Sequence, residues 1–128
     1  MDKLDFYRCE TCGNIVQVII NSSGALYCCG KQMTKLEPQT HEESVMEKHV
    51  PIFVKNCDEI FEIRVGEVLH PMTEDHHIMF IQAISEDKNR AQIKYLYPNN
   101  EPKMVYRGNY SKAIEYCNIH GLWEGKNA

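Results

Sequence analysis

Four cysteines near the N-terminus, Cys9 and Cys12 of Cys9-Glu10-Thr11-Cys12-Gly13 and the adjacent pair Cys28-Cys29, constrain this chain more than any other feature. A Cys-x2-Cys step lets two thiolates grip one ion, and Gly13 lets the turn close with backbone amides facing sulfur. Four thiolates favour tetrahedral zinc or iron, and the spacing alone leaves a structural zinc ribbon and an iron centre both open. Adjacent cysteines carry diverging side chains, so the expected tetrahedron has a widened sulfur–metal–sulfur angle. The surrounding segment, Phe6 to about Leu36, offers few core-formers: Ile15, Val16, Val18, Ile19, Ile20 and Leu26. A stretch of roughly 30 residues cannot bury enough apolar area to fold unaided, so it needs the staple.

The alternative use of so many cysteines is a disulfide framework. The start, Met1-Asp2-Lys3-Leu4-Asp5, lacks the charged-then-apolar pattern of a secretory signal, so the expectation is a reducing cytoplasm in which the thiols serve as metal ligands. No apolar run approaches the roughly 20 residues of a membrane-spanning helix. The net charge of −4 argues against nucleic-acid or anionic-membrane partners, which require a basic face.

Residues 37–46 begin with Glu37-Pro38-Gln39-Thr40-His41, polar and without period, and read as a linker. The chain beyond this linker reads as β. Phe61, Ile63 and Val65 alternate with Glu62 and Arg64; Ala91, Ile93, Tyr95 and Tyr97 alternate with Gln92 and Lys94, Leu96 being the exception. His49 to Lys55 and His77 to Ile84 are further strand-like runs, and turn clusters around Cys57, Glu86 and Asn99 punctuate the series. Short strands at this spacing predict an antiparallel sandwich, with no helix longer than a few turns.

A second set of donor residues lies in this region. His49 precedes a strand, His70 and His76 lie six residues apart, and Cys117 and His120 lie three apart near the C-terminus. Taken singly, each histidine is more often a surface residue than a ligand. If all five converge, four nitrogens and one sulfur are too many for ordinary zinc and suit iron, with imidazoles in a plane, thiolate on the axis and a sixth position open. Iron(II) with one thiolate and four neutral imidazoles keeps a single positive charge, which attracts an anion. His41 and Cys57 are read as bystanders. His77 directly follows His76, and adjacent side chains of extended chain point to opposite faces, so only one of the two can reach the ion.

Together, Cys9-x2-Cys12, Cys28-Cys29, Glu47-Lys48-His49-Val50-Pro51, His70-Pro71-Met72-x3-His76 and Glu115-Tyr116-Cys117-Asn118-Ile119-His120-Gly121-Leu122-Trp123 resemble desulfoferrodoxin, the two-iron form of superoxide reductase. The resemblance runs from about Phe6 to Trp123. It implies a desulforedoxin-like module over 1–36, with Cys9, Cys12, Cys28 and Cys29 holding one iron. It further implies a linker over 37–46 and an immunoglobulin-like β-sandwich over 47–128. The second iron would be held by His49, His70, His76, His120 and axial Cys117. By the same resemblance, superoxide is reduced by one electron to hydrogen peroxide, a rubredoxin-type donor returns the electron, and the chain is a homodimer. Glu47 matches a carboxylate that occupies the sixth position of oxidised iron. Lys48 matches a lysine that draws in superoxide and supports protonation of the product. Amides near Ile119 and His120 would tune the Cys117 thiolate. Two further function classes remain open on the residues alone: a pure iron electron carrier, and a structural zinc protein with incidental histidines.

Overall fold

The computed structural model describes residues 1–40, 49–55, 60–66 and 70–127. His41, Glu47, Lys48 and Cys57 lie outside them. The chain divides into two units, Met1–Glu37 and Pro38–Ala128. The described residues contain strands and no helix.

The first unit holds two very small sheets. Strand β1 (Phe6–Arg8) pairs antiparallel with β2 (Ile15–Gln17), while β3 (Tyr27–Cys28) and β4 (Lys31–Gln32) form a hairpin. Strand β5 (Thr34–Leu36) returns to the other edge of β1. The core differs from the sequence expectation. Of the six expected core-formers only Val18 is buried; Ile15 and Leu26 are half-buried, while Val16, Ile19 and Ile20 are exposed, Ile20 at 84%. Phe6, Met33 and Cys9 join Val18 inside. Strands of two or three residues make a sheet too small to cover both of its faces. This much apolar burial cannot offset chain entropy by itself, so cross-linking through sulfur is needed.

The second unit is a seven-stranded sandwich: β6 (Pro51–Lys55), β7 (Phe61–Val65), β8 (Ile78–Ile84), β9 (Ala91–Tyr95), β10 (Lys103–Tyr106), β11 (Lys112–Cys117) and β12 (Gly121–Lys126). One sheet has the order β10-β7-β6 and the other β12-β11-β8-β9, all pairs antiparallel. This three-plus-four arrangement is an immunoglobulin-like β fold. Ile63, Val65, Met104 and Tyr106 from the first sheet meet Ile78, Ile81, Ala83, Ala113 and Cys117 from the second in one buried core.

Two strands depart from simple alternation. Every residue of β9 is exposed, because it is the free edge of its sheet, and Leu96, the break in the pattern, is the residue that enters the core. Glu62, on the polar side of β7, is only 3% exposed. It is covered by its ion pairs with Arg64 and Lys103, so pairing and not position accounts for its burial. The expected linker also changes character at its start: Gln39 bridges Trp123 of β12 in a parallel pair, with Gln39 N–H donating to Leu122 O and Glu124 N–H to Gln39 O, both at 2.9 Å.

At Gly125 the β12 backbone approaches β6 so closely that a Cβ would lie 2.0 Å from the Pro51 carbonyl oxygen. Gly125→Ala is therefore expected to destabilise the chain by about 1–3 kcal/mol, as overpacking does. Thermal unfolding measures it, with Gly24→Ala, whose Cβ would meet nothing within 4 Å, as the near-neutral control.

Candidate metal centres

The first centre is built by two turns. After β1 the chain folds back: Cys9 N–H donates to Asn14 O and Gly13 N–H to Cys9 O, both at 2.9 Å, with Gly13 at φ +84°. This points the Cys12 amide at Cys9 Sγ, 3.5 Å away. The second turn answers how adjacent cysteines share one ion. Cys28 pairs with Lys31 across the hairpin, leaving Cys29-Gly30 as a two-residue turn with φ +53° and +74°. Positive φ at both central residues is the signature of a type I′ turn, the form that matches strand twist. A left-handed non-glycine residue costs about 1 kcal/mol or more, and here it turns Cys29 toward Cys28. Their Sγ atoms lie 3.9 Å apart, Cys12 and Cys28 Sγ 3.6 Å apart, and Asn14 Nδ2 donates to Cys28 Sγ at 3.8 Å. All four sulfurs lie within 4.8 Å of one another.

The thiols of this tetrad are unequal. The Cys12 and Thr11 amides hold the Cys9 thiol down to about 6. The neighbouring thiols of Cys12, Cys28 and Cys9 push Cys29 up to about 12, and Cys9 and Cys12 push Cys28 upward.

The second centre sits at one end of the sandwich. Cys117 ends β11 and Gly121 (φ +86°) starts β12, so the motif Cys-x2-His is the hairpin turn itself. A register shift between Tyr116 and Cys117 breaks the β8 pairing, and such a bulge re-aims the side chain next to it. Cys117 is fully buried, and its Sγ lies 3.8 Å from His120 Nδ1. His70 comes from the loop before β8 and His49 from the segment before β6; both are buried. His70 Nδ1 lies 2.7 Å from Pro71 O, a bond in which the ring must donate, and this leaves Nε2 as the lone pair for a metal. The Nε2 atoms of His49, His70 and His76 are all buried.

The five donor atoms of His49, His70, His76, Cys117 and His120 lie within 4.8 Å of one another. One ion at roughly 2.0–2.3 Å from each donor spans about 4.0–4.6 Å between opposite ligands, so both sets fit a single ion within a few tenths of an ångström. Five donors rich in imidazole suit iron over tetrahedral zinc, and the four-thiolate set suits iron as well. The structure brings His76 into the cluster and not His77. The main chain of His77 is instead bonded to Asn118, whose Oδ1 accepts from His77 N at 2.9 Å and whose N–H donates to His77 O at 3.2 Å. Asn118 Nδ2 adds a bond to Asp75 O, stitching the His76 loop to the Cys117 turn. Sequence reasoning missed Asn118, Asn14 and Gln39, which are polar residues without a ligand's chemistry.

Residues 1–36 match the family model of the desulfoferrodoxin N-terminal domain, and residues 41–126 match that of desulfoferrodoxin. Desulfoferrodoxin of Syntrophotalea carbinolica is 42% identical over 127 residues, 98% of each chain. The crystal structure of the superoxide reductase from Treponema pallidum superposes with a TM-score of 0.77 over 97% of this chain and 98% of its own, at 22% identity, a likeness of fold. The one-iron superoxide reductase from Giardia intestinalis is 34% identical, with a TM-score of 0.52 over 63% of this chain and 97% of its own.

Because ligands must be deprotonated, metal uptake by the tetrad expels protons from Cys28 and Cys29 at neutral pH, while Cys9 is already mostly ionised. At least two expelled protons make apparent affinity rise with pH by at least about a hundredfold per unit between pH 6 and 8. Zinc competition against a chelator across that range checks the slope; a flat profile contradicts it.

Proposed function

Since this chain belongs to the desulfoferrodoxin family, we propose that it is a superoxide reductase, reducing superoxide with one electron and two protons to hydrogen peroxide. The observation that carries this reading is the convergence of four imidazoles and one thiol within 4.8 Å. His49, His70, His76, His120 and Cys117 hold one iron in this reading, and Cys9, Cys12, Cys28 and Cys29 hold the other. Ferrous iron held by these five donors would supply the electron, its reducing power raised by the anionic Cys117 thiolate.

The chain's own residues do the rest. Burial keeps water from Cys117, whereas His120, the exposed member of the set, marks where solvent and a small anion reach the cluster. Lys48 and Glu47 directly precede His49 in sequence. Lys48 attracts superoxide on a chain of net charge −4 and supports its protonation, and Glu47 serves the oxidised state. A rubredoxin-type donor returns the electron. The exposed Cys12 and Cys29 leave the tetracysteine site reachable by such a carrier. The functional division we assign is a module over 1–36, a connection over 37–46 and a reductase domain over 47–128, in a cytoplasmic homodimer.

Cys117→Ser is expected to abolish the visible thiolate-to-iron band and the reaction with superoxide, whereas His77→Ala leaves both near wild type. Absorption spectra and pulse radiolysis of the reduced protein decide it. Iron loss in His77→Ala with retention in His76→Ala would reassign that loop.

A single positive side chain within about 8 Å, the Debye length at physiological salt, acts on an anion before contact. Steering changes association rates by roughly 10 to 1,000-fold, with one lysine at the low end. Lys48→Ile is expected to slow the encounter with superoxide on the order of tenfold and to flatten its salt dependence, while Glu47→Ala leaves the encounter rate and alters the oxidised spectrum. Rates across a salt series test both roles.

A further inference from the structure

We infer that Gln39 and Trp123 are positioning residues that set the pose of two donors, His120 and His49. The inference rests on the five-donor metal reading proposed for this chain. Its physical basis is a pair of hydrogen bonds converging on one carbonyl. Gln39 Nε2 donates to His120 O at 2.9 Å and Trp123 Nε1 donates to the same oxygen at 3.2 Å. A carbonyl has two lone pairs, and here both are used by side chains reaching in from separate segments. Gln39 Nε2 also lies 3.4 Å from Leu122 O, and its main chain makes the two bridge bonds around Trp123. One residue thus makes four hydrogen bonds to the backbone of His120, Leu122 and Glu124.

The grip matters at His120 more than it would elsewhere. Its Nδ1 is the ring nitrogen that faces Cys117 Sγ, at 3.8 Å. Nδ1 is only three bonds from Cα, one fewer than Nε2, so a shift of the His120 backbone moves the donor atom almost directly. Gly121, with φ +86°, is the joint that turns this carbonyl, and a Cβ there would meet Gln39 Nε2 at 3.4 Å. Trp123 acts on a second donor at once. Its indole stacks on the His49 ring with centroids 4.9 Å apart and an interplanar angle of 15°, which resists rotation of that ring about its bond to Cβ. The same side chain therefore ties a ligand before β6 to a ligand in the β11–β12 turn. Neither residue is itself one of the five donors. Supporting groups of this kind change metal affinity or activity by roughly 10 to 100-fold when removed.

The test uses the full chain loaded with two equivalents of cobalt(II), with Gln39→Leu, Gln39→Glu and Trp123→Phe beside wild type. Gln39→Leu keeps the main-chain bridge and removes the donor; Gln39→Glu replaces it with an acceptor facing a carbonyl; Trp123→Phe keeps the stacked ring and removes the N–H. Each variant is expected to release the second cobalt to a chelator on the order of tenfold faster and to shift its thiolate charge-transfer band. The tetracysteine band serves as the internal reference and stays fixed. Thermal unfolding of the metal-free chains runs alongside. A lowered unfolding temperature with unchanged release and band position, in all three variants, would overturn the inference and leave a merely structural role. Uptake of only one equivalent by wild type would overturn the metal reading, and the inference with it.

Discussion

Placing His49, His70 and Cys117 out of water at one end of an apolar sandwich has a desolvation cost that only shared bonding can offset. Several local irregularities of the second unit serve that sharing. The bulge at Tyr116/Cys117 redirects the thiol, the left-handed Gly121 closes the turn that presents His120, and the bond between His70 and Pro71 O selects which ring nitrogen faces inward. Asn118 then fastens the loop carrying His76 to the same turn. An unbroken register between β8 and β11 would align Cys117 with the pleat and scatter the donors. The metal-binding geometry thus comes with departures from ideal sheet pairing, all concentrated at one rim.

The two units solve the stability problem in opposite ways. The sandwich has a continuous core drawn from both sheets, from Ile63 and Met104 on one to Ile81 and Ala113 on the other, whose apolar burial drives its folding. In the first unit, four apolar residues are buried and several aliphatic side chains face outward. Its order depends on two tight turns, one of them built on a left-handed cysteine, that bring four sulfurs together. Metal binding there is folding free energy. In the sandwich, by contrast, metal binding uses a frame that hydrophobic packing already provides.

Aromatic and amide side chains around the second centre add a further layer. Trp123 reaches one donor through its ring face and another through its N–H, and Gln39 arrives from far away in sequence to share the same carbonyl. Such groups have no metal chemistry of their own. They convert a set of nearby donors into a set with one arrangement, which is what lets a thiolate and four imidazoles act on a single ion.

Local spacing makes much of this protein legible. The two-residue gap between Cys9 and Cys12, the pairing of Cys28 with Cys29, and the three-residue step from Cys117 to His120 name donors directly, because chelation is a short-range requirement. The alternation of Phe61, Ile63 and Val65 marks a strand for the same reason: side-chain direction in a strand is a local property. Spacing could not decide anything set by a partner distant along the chain. Ile19 and Ile20 are as apolar as any core residue, yet lie exposed in the bend after β2; β9 alternates, yet lies at an edge; Glu62 is charged, yet is buried under Arg64 and Lys103. The choice of His76 over His77, the left-handed turn at Cys29 and the reach of Gln39 to His120 belong to the same class. The sequence by itself determined which atoms can bind metal and which segments are extended. Only the tertiary structure decided which of them meet, because burial and coordination depend on neighbours that folding, not sequence distance, brings within a few ångströms.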